Sequence, residues 1–220
     1  MPLTPYGIRV WLPIVFVGLL MGGVCVYVQS WPSLAVVAVL TLSLLAFFRD
    51  PIRRIPPDLA PGDMLSPADG TVSAVFTVDS HEATGGAPAS VIRIFLSVLN
   101  VHVNRSPFDG EVVALKPTPG KYLNAQTEES ATVNESNLIT MKIKGNETIG
   151  VRQVAGMIAR TIVCPLTLRQ RLTRGQKFGM IMFGSTTELI LPRPQDVTVH
   201  VKKGDKVRGG LTLLATLKPR

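Results

Sequence analysis

The sequence predicts a mainly β protein: a compact, sandwich- or barrel-like β domain (residues 49–220) preceded by an N-terminal apolar helical hairpin (residues 1–48). Three observations lead there. No residue from Val10 to Phe48 is charged, although Asp, Glu, Lys and Arg make up 17% of the 220-residue chain. After a proline-rich connector, "FFRDPIRRIPPDLAPGD" (47–63), the pattern changes to short runs of Val, Ile, Thr and Phe punctuated by Gly, Pro and Asn. Beyond residue 50 no sustained stretch carries helical periodicity.

At about 1.5 Å per helical residue, the uncharged run can cross a hydrocarbon core of roughly 30 Å nearly twice. "QSWPS" (29–33) interrupts it with polar residues and a proline, so the expectation is two helices, Val10–Tyr27 and the shorter Leu34–Phe48. Trp11, Tyr27, Trp31 and the Phe47-Phe48 pair fall near the ends, where interface aromatics belong. No small-residue cleavage site follows the first run, which argues against a signal peptide and leaves helices lying in one leaflet as the other arrangement. Arg9 before the hairpin and Arg49, Arg53 and Arg54 after it place both ends, and the β domain, on the cytoplasmic side of the cell membrane. In that reducing compartment Cys25 and Cys164 are expected to be unpaired. No Cys-x-x-Cys or His-x-x-x-His pairing exists, so no metal is expected. The net charge of +8 implies either a counterpart or simply a solvated basic surface. With no nucleic-acid-binding motif and few aromatics, an anionic lipid surface fits better than nucleic acid.

In the second part, "TVSAVFTV" (71–78), "VIRIFLS" (91–97), "EVVALK" (111–116), "LITMKIK" (138–144), "TIGVRQVAG" (148–156) and "ARTIV" (159–163) are expected strands. "ELILP", "VTVHVKKGDKV" and "LTLLATL" complete the set, while "PLTLRQRLT" (165–173) suits one or two helical turns. "MIMFGSTTELILP" (180–192) is expected to be one apolar strand interrupted by Gly184-Ser185-Thr186, and a glycine inside a strand marks a bulge or a close backbone approach. "DSHEATGGAPAS" (79–90) reads as a flexible hairpin tip. "KPTPGKYLNAQTEESATVNESN" (116–137) is long for a compact domain, and long loops are often functional.

Four stretches hold residues with chemistry, and each alone has an ordinary structural reading. Asp69 in "SPADGTV" (66–72) sits in an Asp-Gly turn signal. His102 in "FLSVLNVHVNRSP" (95–107) is one of only three histidines, Lys121 lies in "PGKYLNA" (119–125), and "FGST" (183–186) has the look of a β-bulge. In this order, behind an apolar "FFRDPxR" segment, they resemble the phosphatidylserine decarboxylases, from about residue 47 to the C-terminus. The likeness is densest in "GQKFGMIMFGSTTELILP" (175–192), and the compact length is similar to the short bacterial and archaeal members.

The resemblance implies self-cleavage between Gly184 and Ser185, giving a β chain (1–184) and an α chain (185–220) that stay associated, with Ser185 converted to a pyruvoyl group. That group would act as electron sink through a Schiff base with the substrate amine, turning phosphatidylserine into phosphatidylethanolamine and carbon dioxide, with no nucleotide cofactor. A glycine before the serine offers the least obstruction to hydroxyl attack on the preceding carbonyl. Ser185 matches the pyruvoyl precursor, Asp69 the cleavage-site aspartate, and His102 the first histidine of the family's "YHRVH"-type stretch. Phe183, Thr186, Lys121 and Arg105 are supporting positions. Arg105 stands where longer members carry a second histidine, and a guanidinium cannot serve as a base near neutral pH. Either His102 activates Ser185, or strain and an oxyanion contact from Arg105 do more of the cleavage. An archaeal ether-lipid phosphoserine has the same head group and stays open as substrate, as does self-association. A membrane-tethered carrier- or adaptor-like β domain is the non-enzymatic alternative, since "SPADGTVSAV" and "VKKGDKVRGGLTLLATL" also look like paired carrier hairpins.

Overall fold

The computed structural model describes residues 2–123, 127, 129–157, 161–182 and 185–219, and the chain forms two compact units, Met1–Ile52 and Arg53–Arg220. In the first, α1 (Ile8–Tyr27) and α2 (Trp31–Phe47) form the expected hairpin. With its preceding turn, α1 makes a 23-residue helix (Pro5–Tyr27) of mean hydropathy 2.2, long and apolar enough to cross a membrane. The Phe47-Phe48 pair departs from its expected place. The two rings meet edge to face at 5.1 Å and are buried rather than turned outward. Phe48 closes over Gly7, and the Leu3–Arg49 bridge with the Asp50 N–H to Pro2 carbonyl bond ties the end of the hairpin back to its start.

Among the described residues the second unit has fourteen strands and one short α-helix. The strands are β1 (Asp63–Leu65), β2 (Gly70–Val78), β3 (Ala89–Leu96), β4 (Val103–Arg105), β5 (Gly110–Thr118), β6 (Ser136–Lys142) and β7 (Thr148–Val154), then β8 (Ile162–Val163), β9 (Arg171–Leu172), β10 (Lys177–Ile181), β11 (Ser185–Pro192), β12 (Val197–Val199), β13 (Lys206–Val207) and β14 (Leu213–Leu217). The helix, α3 (Ser130–Val133), lies in the long loop before β6. Eight strands form one curled antiparallel sheet in the order β13-β2-β3-β11-β7-β6-β5-β9. Two three-stranded sheets, β1-β14-β12 and β4-β10-β8, accompany it. Register shifts at Ser73 in β2 and Val113 in β5 insert one extra residue each, and such bulges increase local twist and help a sheet curl.

Alternation assigns the faces. Ile92, Ile94 and Leu96 of β3, Leu189 and Leu191 of β11, Ile149 and Val151 of β7, and Ile139 and Met141 of β6 all enter the main core. The opposite face holds a smaller cluster around Val91, Leu138 and Ile190, and here the expected flexible tip 79–90 proves otherwise. It folds into a turn of 3-10 helix (Glu82–Thr84) that buries Ala83 over that cluster, because an apolar patch on the second face needs a cover. "PLTLRQRLT" forms no helix; it leads through a turn into β9.

The segment "MIMFGSTTELILP" is not one interrupted strand. Its first half is β10, paired with β4 and β8; its second is β11, paired with β3 and β7 in the large sheet. The chain leaves the small sheet after Ile181 and is in the large sheet from Ser185.

Candidate active site

Ser185 opens β11, at the middle of the large sheet, opposite Leu96 of β3. Register gathers the expected functional positions at this one end. Thr71 pairs with Phe95, just after Asp69; Thr186 pairs with Val154, Val154 with Ser136, and Ser136 with Thr118, just before Lys121. Ser185 shares the face of Leu189 and Leu191, so its side chain belongs to the core side of the sheet, and it is fully buried. Its Oγ has no hydrogen-bond partner among the described residues. A buried hydroxyl without a partner costs about 1–3 kcal/mol, and native proteins seldom keep one without a reason.

Next to it the core face turns polar. Thr187, Gln153 and Asn137 lie in register across β11, β7 and β6, and Asn104 of β4 reaches them from the neighbouring sheet. Asn137 Nδ2 donates to Gln153 Oε1 (3.2 Å), Gln153 Nε2 to Asn104 Oδ1 (2.9 Å), and Asn104 Nδ2 to Thr187 Oγ1 (3.1 Å) and the Pro67 carbonyl (3.4 Å). The Pro67 carbonyl can only accept, which sets the orientation of Asn104 and hence the direction of the whole chain. β10 lies close over this row because residue 179 is glycine: a Cβ there would stand 2.4 Å from the Val163 carbonyl and 3.3 Å from Gln153 Nε2. At its outer end the row meets a pocket of about 270 Å³ lined in part by Ser136, Asn137, Ile162 and Cys164. Burial pushes the Cys164 thiol above its ordinary pKa.

His102 precedes β4 and is fully buried; its carbonyl accepts from Ile181 N–H at the end of β10. Its Nδ1 lies 3.0 Å from the Asn100 carbonyl. A carbonyl cannot donate, so Nδ1 carries the proton and the basic nitrogen of the neutral ring is Nε2. Asn100 is itself fixed, its Oδ1 accepting from Ser97 N–H (2.9 Å) and Ser97 Oγ (2.8 Å).

Asp69 forms a different cluster. Its carboxylate takes a two-pronged ion pair from Arg53, with Nη2 to Oδ2 at 2.7 Å, and accepts the Gly209 N–H at 2.7 Å. Arg53 also donates to the Gly209 carbonyl. Arg105 alternates away from Asn104: its Nη1 donates to the Gly175 carbonyl (3.1 Å), and its Cδ packs beside Gly210. Among the described residues no side-chain hydrogen bond joins Asp69, His102 and Ser185 to one another. Thr186 is buried on the opposite face from Ser185. Lys121 is exposed, and its backbone is bridged to residues 133–135. Gly120 permits this, since a Cβ would lie 2.4 Å from the Asn134 carbonyl carbon. Phe183 and Gly184 lie outside the described residues.

The site thus offers a buried serine hydroxyl, a buried histidine of fixed tautomer, and an oriented amide row. Arg53, Asn104, Gln153 and Asn137 are the residues that sequence reasoning missed as contributors. Only one signal pointed to any of them: amide side chains in runs otherwise rich in β-branched residues. Among the described residues no group of three or more His, Cys, Asp or Glu side chains is placed to hold a metal ion.

Comparison with known proteins identifies the family. The family model described as phosphatidylserine decarboxylase matches residues 40–215. A phosphatidylserine decarboxylase proenzyme of Chlorobium phaeovibrioides is 41% identical over 97% of this chain and 96% of its own. That of Symbiobacterium thermophilum is 42% identical over 92% of each, and that of Paraburkholderia phytofirmans 36% identical over 86% of this chain and 95% of its own. With the match spanning most of the β unit and the site at its centre, this chain belongs to the phosphatidylserine decarboxylase family.

Proposed function

We propose that this protein decarboxylates phosphatidylserine to phosphatidylethanolamine, after cutting its own chain at Gly184-Ser185 and turning Ser185 into a pyruvoyl group. The observation behind the reading is the Ser185 hydroxyl, buried at a strand start with no hydrogen-bond partner among the described residues. Such an oxygen is poorly solvated, and it is the atom the first step needs. Oγ bonds to the Gly184 carbonyl carbon, the bond from that carbon to the Ser185 nitrogen breaks, and the nitrogen takes the proton, leaving an ester. Elimination then passes the Cα proton to a base and breaks the Cβ–Oγ bond, freeing the 184 carboxylate and leaving a Cα=Cβ double bond. Water replaces the resulting enamine nitrogen as ammonia, leaving a ketone on residue 185. The residues present fit such a group, because the carbon skeleton stays where the serine stood and the oriented amide row lies beside it. Once formed, the ketone supplies an electron sink for loss of carbon dioxide from an amino-acid head group.

His102 is assigned the proton movements at Nε2, since its Nδ1–H is committed to Asn100. It takes the Ser185 proton in self-cleavage and serves decarboxylation as acid or base. Arg105 is not given the base role, because a guanidinium stays protonated and its Nη1 is engaged with Gly175. Asp69 acts as a positioning residue through Arg53 and the Gly209 turn. Lys121, exposed at the rim, suits the phosphate or carboxylate of the incoming lipid. The helix Pro5–Tyr27 holds the enzyme at the membrane, and the flanking Arg9, Arg49 and Arg54 favour the cytoplasmic side for the catalytic unit.

The test is a denaturing gel with mass spectrometry. Wild-type protein should separate into two chains, the smaller starting at residue 185, blocked at its N-terminus and reactive toward hydroxylamine. Ser185→Ala should give one uncut, inactive chain. His102→Ala should lower activity about 10²–10⁴-fold. Active wild-type protein that stays uncut, with an ordinary serine at 185, would refute the mechanism.

A further inference from the structure

We propose that the site end of the β unit docks on an anionic lipid bilayer through two apolar loop tips, Val98–Leu99 and Met157, with Lys121 beside them. The proposal rests on the phospholipid reading above and adds a second membrane contact, separate from the N-terminal helices.

The register places the tips. Leu96 pairs with Ser185, so the chain after β3 emerges at the Ser185 end; Val154 pairs with Thr186, so the chain after β7 emerges there too. On these two loops Leu99 is 82% exposed, Met157 56% and Val98 45%. The far end of the same sheet has the opposite chemistry. Its connections are "DSHEATGGAP" (79–88), "IKGNE" (143–147) and "RPQD" (193–196), rich in charge, glycine and small polar groups. The exposed Leu168 stands alone beside Arg169, Gln170 and Arg171, as single surface leucines often do.

The first tip is held, and the chain leading to the second is anchored at Ala155. Asn100 closes the Val98–Leu99 turn through two bonds from Ser97, and its carbonyl also fixes the His102 ring, so this tip and the assigned base share one anchor. Asn134 bonds Leu123 through both its oxygen and its nitrogen and donates to the Ala155 carbonyl (2.8 Å), tying the Lys121 loop to the Met157 loop. Exposed apolar side chains at the Ser185 end of the sheet, with a lysine on a third loop at that end and a chain charge of +8, complement the head-group and acyl boundary of an anionic membrane. A phosphatidylserine molecule then has to rise only by its head group to approach residue 185.

The experiment uses the full chain reconstituted in phosphatidylcholine–phosphatidylglycerol vesicles. Leu99→Cys, Met157→Cys and a far-end control, Lys144→Cys, are each made with Cys25→Ser and Cys164→Ser and labelled with an environment-sensitive fluorophore. The labels at 99 and 157 should shift to the blue and be quenched by doxyl-labelled lipid; the label at 144 should do neither. In parallel, the Val98→Ser/Leu99→Ser/Met157→Gln variant should lose about tenfold or more in kcat/KM on bilayer phosphatidylserine, since burying a single such side chain is worth roughly tenfold or more. It should keep its activity on a short-chain, soluble phosphatidylserine, which also reports that the variant folds. Labels at 99 and 157 quenched no more than the label at 144 would overturn the proposal. So would a blue shift that follows protein concentration without lipid quenching, which would assign the tips to a second copy. A wild-type chain inactive on both substrates refutes the decarboxylase reading instead, and the quenching arm is read independently of it.

Discussion

Removing either partner of the Asp69–Arg53 pair separates a positioning role from a chemical one. The two side chains are 11% and 6% exposed, so the pair is nearly dry. Asp69→Ala strands the Arg53 guanidinium and takes the acceptor from the Gly209 N–H. Loss of one member of a buried ion pair typically costs about 3–5 kcal/mol, because the other charge is left uncompensated. Arg53→Ala leaves Asp69 with its Gly209 bond, so its cost belongs at the lower end of that range. For a unit of this size each 1 kcal/mol shifts the melting temperature by roughly 2–4 °C, so Asp69→Ala should lower it by about 6–20 °C. The double variant should cost clearly less than the sum of the two, because the second truncation removes the charge that the first one stranded. The assay is thermal unfolding of the full chain in detergent, paired with the rate of two-chain formation. If Asp69 acts through its partner, Arg53→Ala slows self-cleavage about as much as Asp69→Ala does. Additive stability losses would refute the ion-pair reasoning. Slow cleavage in Asp69→Ala alone, at normal rate in Arg53→Ala, would make Asp69 a direct participant.

Two further expectations concern the buried network and pH. Asn104→Leu leaves the Gln153 amide and the Thr187 hydroxyl without their partner and should destabilise by about 2–4 kcal/mol in denaturant titration; Asn104→Leu/Gln153→Leu should fall short of additivity by about 1 kcal/mol or more. His81, half-buried, has its pKa held below the ordinary 6.5 chiefly by burial, and its Nδ1 accepts the Ala83 N–H. The unfolded state therefore binds the proton more readily, so stability falls as pH drops through about 6.5 toward the depressed folded value and is fully present above it. His81→Gln should flatten that slope in melting temperature against pH, and an unchanged slope would exclude this histidine as the cause.

Local patterning made most of the architecture legible. The uncharged run predicted Val10–Tyr27 and Leu34–Phe48, and the helices are Ile8–Tyr27 and Trp31–Phe47. Runs of β-branched residues bounded by Gly, Pro and Asn located β2, β3, β5, β6 and β7 to within about two residues at most ends. What stayed hidden depended on partners far away in sequence. Asn104 is 49 residues from Gln153 and 83 from Thr187, and nothing in "VHVNR" marks its side chain as the bridge between two sheets. Arg53 looked like one of several flanking charges in a proline-rich connector, yet it is the buried partner of Asp69. The change of sheet between β10 and β11 was illegible for the same reason: both halves have apolar strand character, and only the register with β4 and β3 tells them apart.

That change of sheet also recasts the role of the Gly-Ser step. A bulge inside one strand would be flanked by ladder bonds on both sides, and any strain there could relax along the strand. Here β10 is held by β4 and β8, while β11 is held from Ser185 onward by β3 and β7, so the two halves are anchored separately. If the chain is cut before Ser185 as proposed, the described ladders of β10 and β11 stay intact, so the two product chains would remain one folded unit. The same arrangement leaves Ser185 on the core side, beside polar residues supplied by three other strands, so the new terminus at residue 185 would stay buried where the serine stood. The proposed cleavage and the proposed catalysis would thus make the same demand on the fold: a strand start buried deeply enough to exclude water and anchored well enough to survive the loss of the bond before it.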